Sequence, residues 1–271
     1  MNESYTLHTG KDTRAEVRET QQPNTEKIIE KTQERQDEVV AKQHETEIDD
    51  KDVYNLFPLK PQIFVFVGKC GSGKSVCVKS IMYNYAKKQY FRFGIAYVKT
   101  KFNHSYEFIP DKYVLDKYTE KQFANYLSKL RGLKEKKGAI PPNFVIFDDM
   151  VGSINMNTGV MASFLSTHRH YNTTIFFTSQ YICAKNSSTT LMREITNFAF
   201  IFRTSFKNSL KSLYEAYGQL TNDYDEFVKL FMDITDEEYC CLMYWNKDRG
   251  SKYDSYFKFQ APNPPEYKIN Y

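Results

Sequence analysis

The stretch "IFVFVGKCGSGKSVCV", from Ile63 to Val78, limits the possible architecture more than any other part of the chain. Its first residues are continuously apolar, the pattern of a strand buried on both faces. Gly68, Gly73, Lys74 and Ser75 follow at the spacing G-x-x-x-x-G-K-S, and residues 74–88 read as a helix. In a strand, glycine turn and helix of this order, glycines let backbone N–H groups approach a phosphate closely, and the helix N-terminus adds its dipole. The expected phosphate-binding loop comprises Gly68, Lys69, Cys70, Gly71, Ser72, Gly73, Lys74, Ser75 and Val76. Lys74 is expected to reach the β- and γ-phosphates and Ser75 to coordinate Mg2+. Phosphate binding alone does not separate kinases, GTPases, helicases and pumps.

From Tyr54 onward strands and helices alternate. "RFGIAYVKT", "NFVIFDDM", "TTIFFTSQ" and "NFAFIFRTS" read as further strands. "TEKQFANYLSKLRGLKEKKG" reads as an amphipathic helix with Phe123, Tyr126, Leu127 and Leu130 on one face and Gly138 at its end. "TGVMASFLSTHRHY", "SLKSLYEAYG" and "YDEFVKLFMDI" read as helices, and "YCCLMYW" with "YFKFQA" as a closing strand pair. The expectation is an α/β fold with a mostly parallel sheet covered by helices on both faces.

An apolar strand that ends in "DDM" puts carboxylates at the sheet edge where the phosphate loop also ends. Asp148 is expected to hold Mg2+ together with Ser75, and Asp149 to polarise the attacking water. Asp is shorter than the more usual Glu, so the choice of base between the two acids stays open. A second acid after the magnesium aspartate favours hydrolysis coupled to work over kinase chemistry, and an arginine-rich lid is also lacking. The sequence Asp149-Met150-Val151-Gly152 spells the D-x-x-G of GTPases. Guanine recognition would need N-K-x-D, however, and Asn246-Lys247-Asp248-Arg249 carries its aspartate one position early. ATP is therefore the default nucleotide, although no residue positively selects adenine. Gln180 ends the fourth strand at the same edge, where an amide can bond both a γ-phosphate and the attacking water. Arg169, Arg193 and Arg203 are candidates for a finger supplied by a neighbouring subunit, and each reads equally well as a surface ion-pair residue.

Residues 1–52 contrast with the rest. They hold 8 Lys/Arg and 14 Asp/Glu, a net charge of −6, within a chain of net +4, so the remainder carries +10. A tail rich in Glu, Lys, Gln and Thr buries too little apolar surface to order itself, and "NTEKIIEKTQERQDEVVAKQHE" reads as a transient helix or a docking helix for a partner. The expected organisation is a polar tail over 1–52 and one ATPase domain over 53–271. Its basic balance suits a polyanion partner, with Lys134, Lys136 and Lys137, Lys207 and Lys211, and Lys247, Arg249 and Lys252 as basic clusters. The five cysteines form no C-x-x-C pair and no zinc pattern. No apolar run approaches the roughly 20 residues that span a bilayer, and the N-terminus has no secretory h-region.

"FVIFDDMVGSI", "LSTHRHYNTTIFFTSQ" and "REITNFAFIFRTS" resemble the virion genome-packaging ATPases of poxviruses and other nucleocytoplasmic large DNA viruses, within the FtsK–HerA superfamily of P-loop NTPases. The element R-H-x-N-T/S-I before a strand ending in Gln carries most of the likeness, here Arg169, His170, Asn172, Thr173 or Thr174, Ile175 and Gln180. "FNHSYEFIPDKYV" and "FMDITDEEYCCLMYW" are also similar to that family, so the likeness runs over about residues 56–260. The resemblance implies a RecA-like fold in a homo-oligomeric ring, with double-stranded DNA threading its centre and viral capsid proteins as partners. It implies ATP bound with Mg2+ between subunits, Asp148 and Asp149 as the paired acids, Gln180 as sensor and Arg193 as the basic residue before the fifth strand. The location implied is the virion or the cytoplasm of the infected cell. Outside this class, a nucleotide-dependent scaffold that recruits DNA or capsid protein remains the alternative, and a small-molecule or nucleotide kinase ranks below both.

Overall fold

Five consecutive buried residues form β1 (Ile63–Val67), and their lack of alternation is explained by the position of β1 inside the sheet. The computed structural model describes residues 53–101, 104–150, 154–156, 158–180, 194–247 and 255–269. The tail 1–52, with its expected helix, lies outside the described residues.

The remaining strands are β2 (Phe93–Val98), β3 (Val114–Leu115), β4 (Asn143–Asp148), β5 (Thr173–Ser179), β6 (Phe198–Phe202), β7 (Cys240–Trp245) and β8 (Tyr256–Gln260). They form one sheet in the order β3-β2-β4-β5-β1-β6-β7-β8. Pairing is parallel from β3 through β6 and antiparallel for β6–β7 and β7–β8. This is the expected P-loop NTPase architecture with its closing strand pair. The two-residue edge strand β3 was not among the expected elements.

Alternate residues of the central strands feed opposite cores. On one face Phe64, Phe66, Phe176 and Phe200 pack beneath α1 (Lys74–Lys87) through Cys77, Val78, Ile81 and Tyr85. Their rings stack across strands, with centroids 4.9 Å apart for Phe64–Phe176 and 4.8 Å for Phe66–Phe200. On the other face Val65, Phe147 and Phe177 meet α2 (Glu120–Lys137) and α3 (Gly159–Thr167). Ala199, Ile201 and Leu242 meet α4 (Lys207–Tyr217) and α5 (Tyr224–Ile234). These stacked and edge-on rings explain the high aromatic content, since each ring buries a large area on a pleated surface.

The helix expected over 158–171 ends as an α-helix at Thr167 and continues as a 3-10 turn, His168–Tyr171. The reason is a polar knot. The His168 ring is buried and bonds the Thr173 carbonyl through Nδ1 at 2.9 Å, and Asn172 turns the chain at φ 48°. Asn143 donates to the carbonyls of Tyr171 (2.8 Å) and Asn172 (3.1 Å) and accepts from the Thr173 hydroxyl at 2.7 Å. Asn172 and Thr173 of the family-like R-H-x-N-T block thus tie the N-terminal ends of β4 and β5 together. His168, which follows the last residue of α3, is itself buried.

Candidate functional site

Parallel register brings the C-terminal ends of the central strands to one edge: Val67 pairs Ser179, and Asp148 pairs both Val98 and Thr178. The loop Gly68–Gly73 leaves β1 there. Gly71 and Gly73 hold φ of 76° and 101°, where a side chain is strained. A Cβ on Gly68 would stand 2.6 Å from the Cβ of Phe202 and 2.7 Å from Ser72 Oγ, so β6 supports the loop from beneath. The Gly68 N–H donates to the Ser179 carbonyl at 3.1 Å, which moors the loop to β5. No side chain caps α1 at Gly73, so the N–H groups of its first turn have no capping acceptor. Ser72 Oγ is buried without a partner among the described residues. This cradle of N–H donors with one orphaned hydroxyl fits a phosphate chain.

Lys74 folds back over the loop and donates from Nζ to the carbonyls of Gly68 (2.6 Å) and Lys69 (2.8 Å). It is 9% exposed, and burial lowers the pKa of its ammonium, with Asp148, Cys70 and Asp149 pulling the other way. A positive charge held out of water beside the cradle is complementary to a triphosphate.

Thr178 orients the paired acids. Its hydroxyl donates to Asp148 Oδ1 and accepts from the Asp149 N–H at 3.0 Å. Asp149 leaves the strand at φ 55°, a left-handed conformation rare for a non-glycine residue, held further by its N–H to the Thr178 carbonyl at 3.2 Å. Its carboxylate accepts from Gln180 Nε2 at 2.9 Å and stands 3.7 Å from the exposed Lys99 ammonium. Asp149 and Gln180 are therefore joined directly, as their shared edge predicts. The Tyr106 hydroxyl is buried and closes no hydrogen bond of normal geometry among the described residues, although the Asp148 carboxylate and Ser75 hydroxyl are polar groups that face it. Burial first, then the Asp148 charge, keeps that phenol protonated. A carboxylate, a hydroxyl and an unpartnered phenol around one point fit a hydrated divalent cation, which keeps several waters that need acceptors and donors.

Burial also pushes the Asp148 carboxyl up from its ordinary 3.8, against the Thr178 and Tyr106 hydroxyls and Lys74, which favour the ionised form. The folded chain then holds this proton more tightly than the unfolded chain does. The contribution of Asp148 to stability accordingly declines as pH rises from 3.8 through the raised value. Asp148→Asn, which keeps an acceptor for Thr178, is expected to melt no lower than wild type at neutral pH. The two melting curves should converge towards roughly pH 4, and a scan from there to neutrality checks this.

Three site residues escaped sequence reasoning. Thr178 is findable only through its register opposite Asp148. Lys99 and Tyr106 lie on the connection between β2 and β3; Tyr106 falls within the family-like "FNHSYEFIPDKYV", but nothing in that stretch singles it out.

The arginines divide. Arg169 is exposed at the N-terminal end of β5, and seven strand residues, about 20 Å, separate it from the Gln180 end. It is thus not brought to the loop of its own chain. Arg203 donates to the carbonyls of Met232 (3.1 Å) and Thr235 (2.9 Å) and pairs with Asp236, an intrachain role. Arg193 lies outside the described residues, as do Arg249 and Lys252. Lys134, Lys136 and Lys137 are exposed at the end of α2, Lys207 and Lys211 on α4, while Lys247 sits 4.1 Å over the Trp245 ring. Among the described residues, no helix is long and apolar enough to cross a membrane.

Protein 088R of Invertebrate iridescent virus 3 is 26% identical over 205 residues, which are 74% of this chain and 76% of that protein. Protein L437 of Acanthamoeba polyphaga mimivirus is 25% identical over 219 residues, 76% and 75% of the two chains. Among solved structures, the genome packaging NTPase B204 from Sulfolobus turreted icosahedral virus 2, in complex with ATP-gammaS, matches with a TM-score of 0.50 at 16% identity over 74% of this chain and 97% of that one. The pCW3 conjugation coupling protein TcpA, in its monomer form with ATPgS, matches with a TM-score of 0.51 at 14% identity over 76% and 61%. At these identities the likeness is one of fold. The family model of the Poxvirus A32 protein matches residues 54–201, from the segment before β1 through the phosphate loop, the paired acids and Gln180 into β6. With more than half of its 271 residues matched, and every strand of that span in place, the chain belongs to the Poxvirus A32 protein family.

Proposed function

We propose that the chain is an ATP-hydrolysing DNA translocase that pumps a viral double-stranded DNA genome into the capsid. The observation that carries the hydrolytic part is the Asp149–Gln180 bond on left-handed backbone beside the phosphate cradle. A carboxylate held in a strained conformation and tied to an amide is placed for work on a water molecule rather than for packing. The transport part rests on family membership and on a fold shared with a genome packaging NTPase and a conjugation coupling protein.

In this reading the N–H groups of Gly68–Ser75 and the Lys74 ammonium hold the triphosphate, with Lys74 turning from the Gly68 and Lys69 carbonyls to the β- and γ-phosphates. Ser75 and Asp148 hold Mg2+, and Tyr106 orients one of its waters. When bound, the ion neutralises charge that develops on the transferred phosphoryl group. Asp149 takes the proton of the attacking water, and Gln180 bonds the γ-phosphate and that water in turn. Loss of the γ-phosphate returns Gln180 to Asp149, so the amide reports the nucleotide state to β5. An arginine of a neighbouring subunit, Arg169 or Arg193, completes each site in a homo-oligomeric ring. DNA passes through the ring, capsid proteins anchor it, and it acts in the virion or the infected cell's cytoplasm.

ATP turnover measured with and without double-stranded DNA tests the reading. The expected result is hydrolysis that DNA stimulates severalfold in an assembled ring. Nucleotide binding with no turnover under either condition would instead leave a scaffold that recruits DNA or capsid protein.

A further inference from the structure

Beside the phosphate cradle stands an aromatic ring that the hydrolytic chemistry does not use. Tyr239 is 54% exposed, one of few large hydrophobic side chains so placed among the described residues. It lies just before β7, and Cys241 pairs Phe202 at the end of β6, so it sits at the same sheet edge as the loop. A Cβ on Gly73 would stand 3.5 Å from Tyr239 Cδ1 and 3.8 Å from its Cβ. The ring thus flanks the start of α1. Val76, 40% exposed, lies three residues further along that helix, on the side that Gly73 shares with it.

Tyr239 is also held in place at a conformational penalty. Its φ is 64°, in the left-handed region that side chains disfavour. Its neighbours fix it there: Glu237 pairs with Lys258, the Glu238 carbonyl accepts from Gln260 Nε2 at 2.9 Å, and the Cys240 N–H donates to the Glu237 carbonyl at 3.2 Å. Packing alone does not call for this arrangement, because over half of the residue faces solvent. Fixed, strained and exposed side chains of this kind are characteristic of ligand contacts.

We propose that Tyr239, with Val76 beside it, is the platform on which the base of the bound nucleoside triphosphate stacks. This rests on the reading of Gly68–Ser75 as a nucleotide-binding loop. Phosphates seated on that loop leave the base within a nucleotide's length of Gly73, and Tyr239 and Val76 offer apolar surface there. Stacking on an aromatic ring is tolerant of base identity, since every base has a π-face. The platform therefore adds affinity for the nucleotide without choosing adenine over guanine, in keeping with a sequence in which no residue selects adenine.

Calorimetric titration of the full-length chain with ATP, GTP and inorganic tripolyphosphate, each with Mg2+, tests this. Tyr239→Ala should weaken ATP and GTP about tenfold to a hundredfold and leave tripolyphosphate unchanged, while Tyr239→Phe should bind all three as wild type does. Tyr239→Gly should melt no lower than wild type, because glycine adopts the left-handed backbone freely, and yet lose ATP as the alanine variant does. Unchanged ATP affinity in Tyr239→Ala would overturn the proposal. Equal losses for ATP and tripolyphosphate would also do so, by assigning the ring to support of the loop. If wild type binds none of the three ligands, the nucleotide-loop reading itself fails. If it binds them and Lys74→Ala does not, that reading stands whatever Tyr239 does.

Discussion

Replacing Asp149 by asparagine is expected to lower ATP turnover about a hundredfold to ten-thousandfold, the usual contribution of a positioned general base, with nucleotide affinity unchanged. The size follows from what the substitution spares. Asparagine has the same shape and is among the residues that best tolerate the left-handed region, where residue 149 sits at φ 55°. The two bonds that hold its N–H, to the carbonyl and hydroxyl of Thr178, are main-chain bonds from residue 149 and persist. Gln180 can still donate to the asparagine oxygen as it does to the carboxylate. Only the charge that accepts a proton from water is lost. Alanine would be a poorer choice, since it would also strain the backbone. Phosphate release at saturating ATP, with equilibrium binding on the same preparation, checks the result. Turnover within tenfold of wild type would remove Asp149 from this role and leave Asp148 as the alternative base.

The two acids show how far local sequence reaches. The phosphate loop, Asp148-Asp149 and Gln180 were legible because each ends or follows a strand whose continuous apolar run marks it as buried and parallel. The mostly parallel sheet and the helices on both faces were legible for the same reason, whereas the strand order was not read from the sequence. What sequence hides is set by pairing between distant segments. Thr178 clamps both acids only because β4 and β5 are in register, Asp148 against Thr178. Tyr106 faces Ser75 and Asp148 only because the chain after β2 folds back over the edge. The edge strand Val114–Leu115 has two residues and pairs β2 alone, too short for any periodicity. Arg169 shows where a polar pattern alone does not separate chemistry from structure. It belongs to a block dense in polar residues, and such density suggests chemistry. Asn172 and Thr173 of that block are taken up by the knot with His168 and Asn143 at the far edge of the sheet, while Arg169 and His170 are exposed.

Replacing Lys74 by alanine is expected to weaken triphosphate binding at least about a hundredfold, the scale of losing one partner of a desolvated charge pair, while leaving the ligand-free melting temperature near that of wild type. These two outcomes come from one environment. Lys74 is 9% exposed, and burial is the largest influence on the pKa of its ammonium. Without nucleotide its partners are two carbonyls, of Gly68 and Lys69, and more distant carboxylates. Truncation removes these bonds and the desolvation penalty of the charge together, so the two effects oppose within about 1 kcal/mol. With a triphosphate in the cradle the balance is lost, because the ligand's charge then has no counter-charge at the point where burial makes it most needed. Melting curves with and without ATP separate the two roles. At a concentration 100 times the wild-type Kd, ligand should stabilise wild type by about 2.7 kcal/mol and a hundredfold-weakened variant by about 0.4 kcal/mol. A variant that melts far lower without ligand would make Lys74 a structural residue, and one that keeps the full ATP shift would mean that Gly68–Ser75 does not hold the triphosphate.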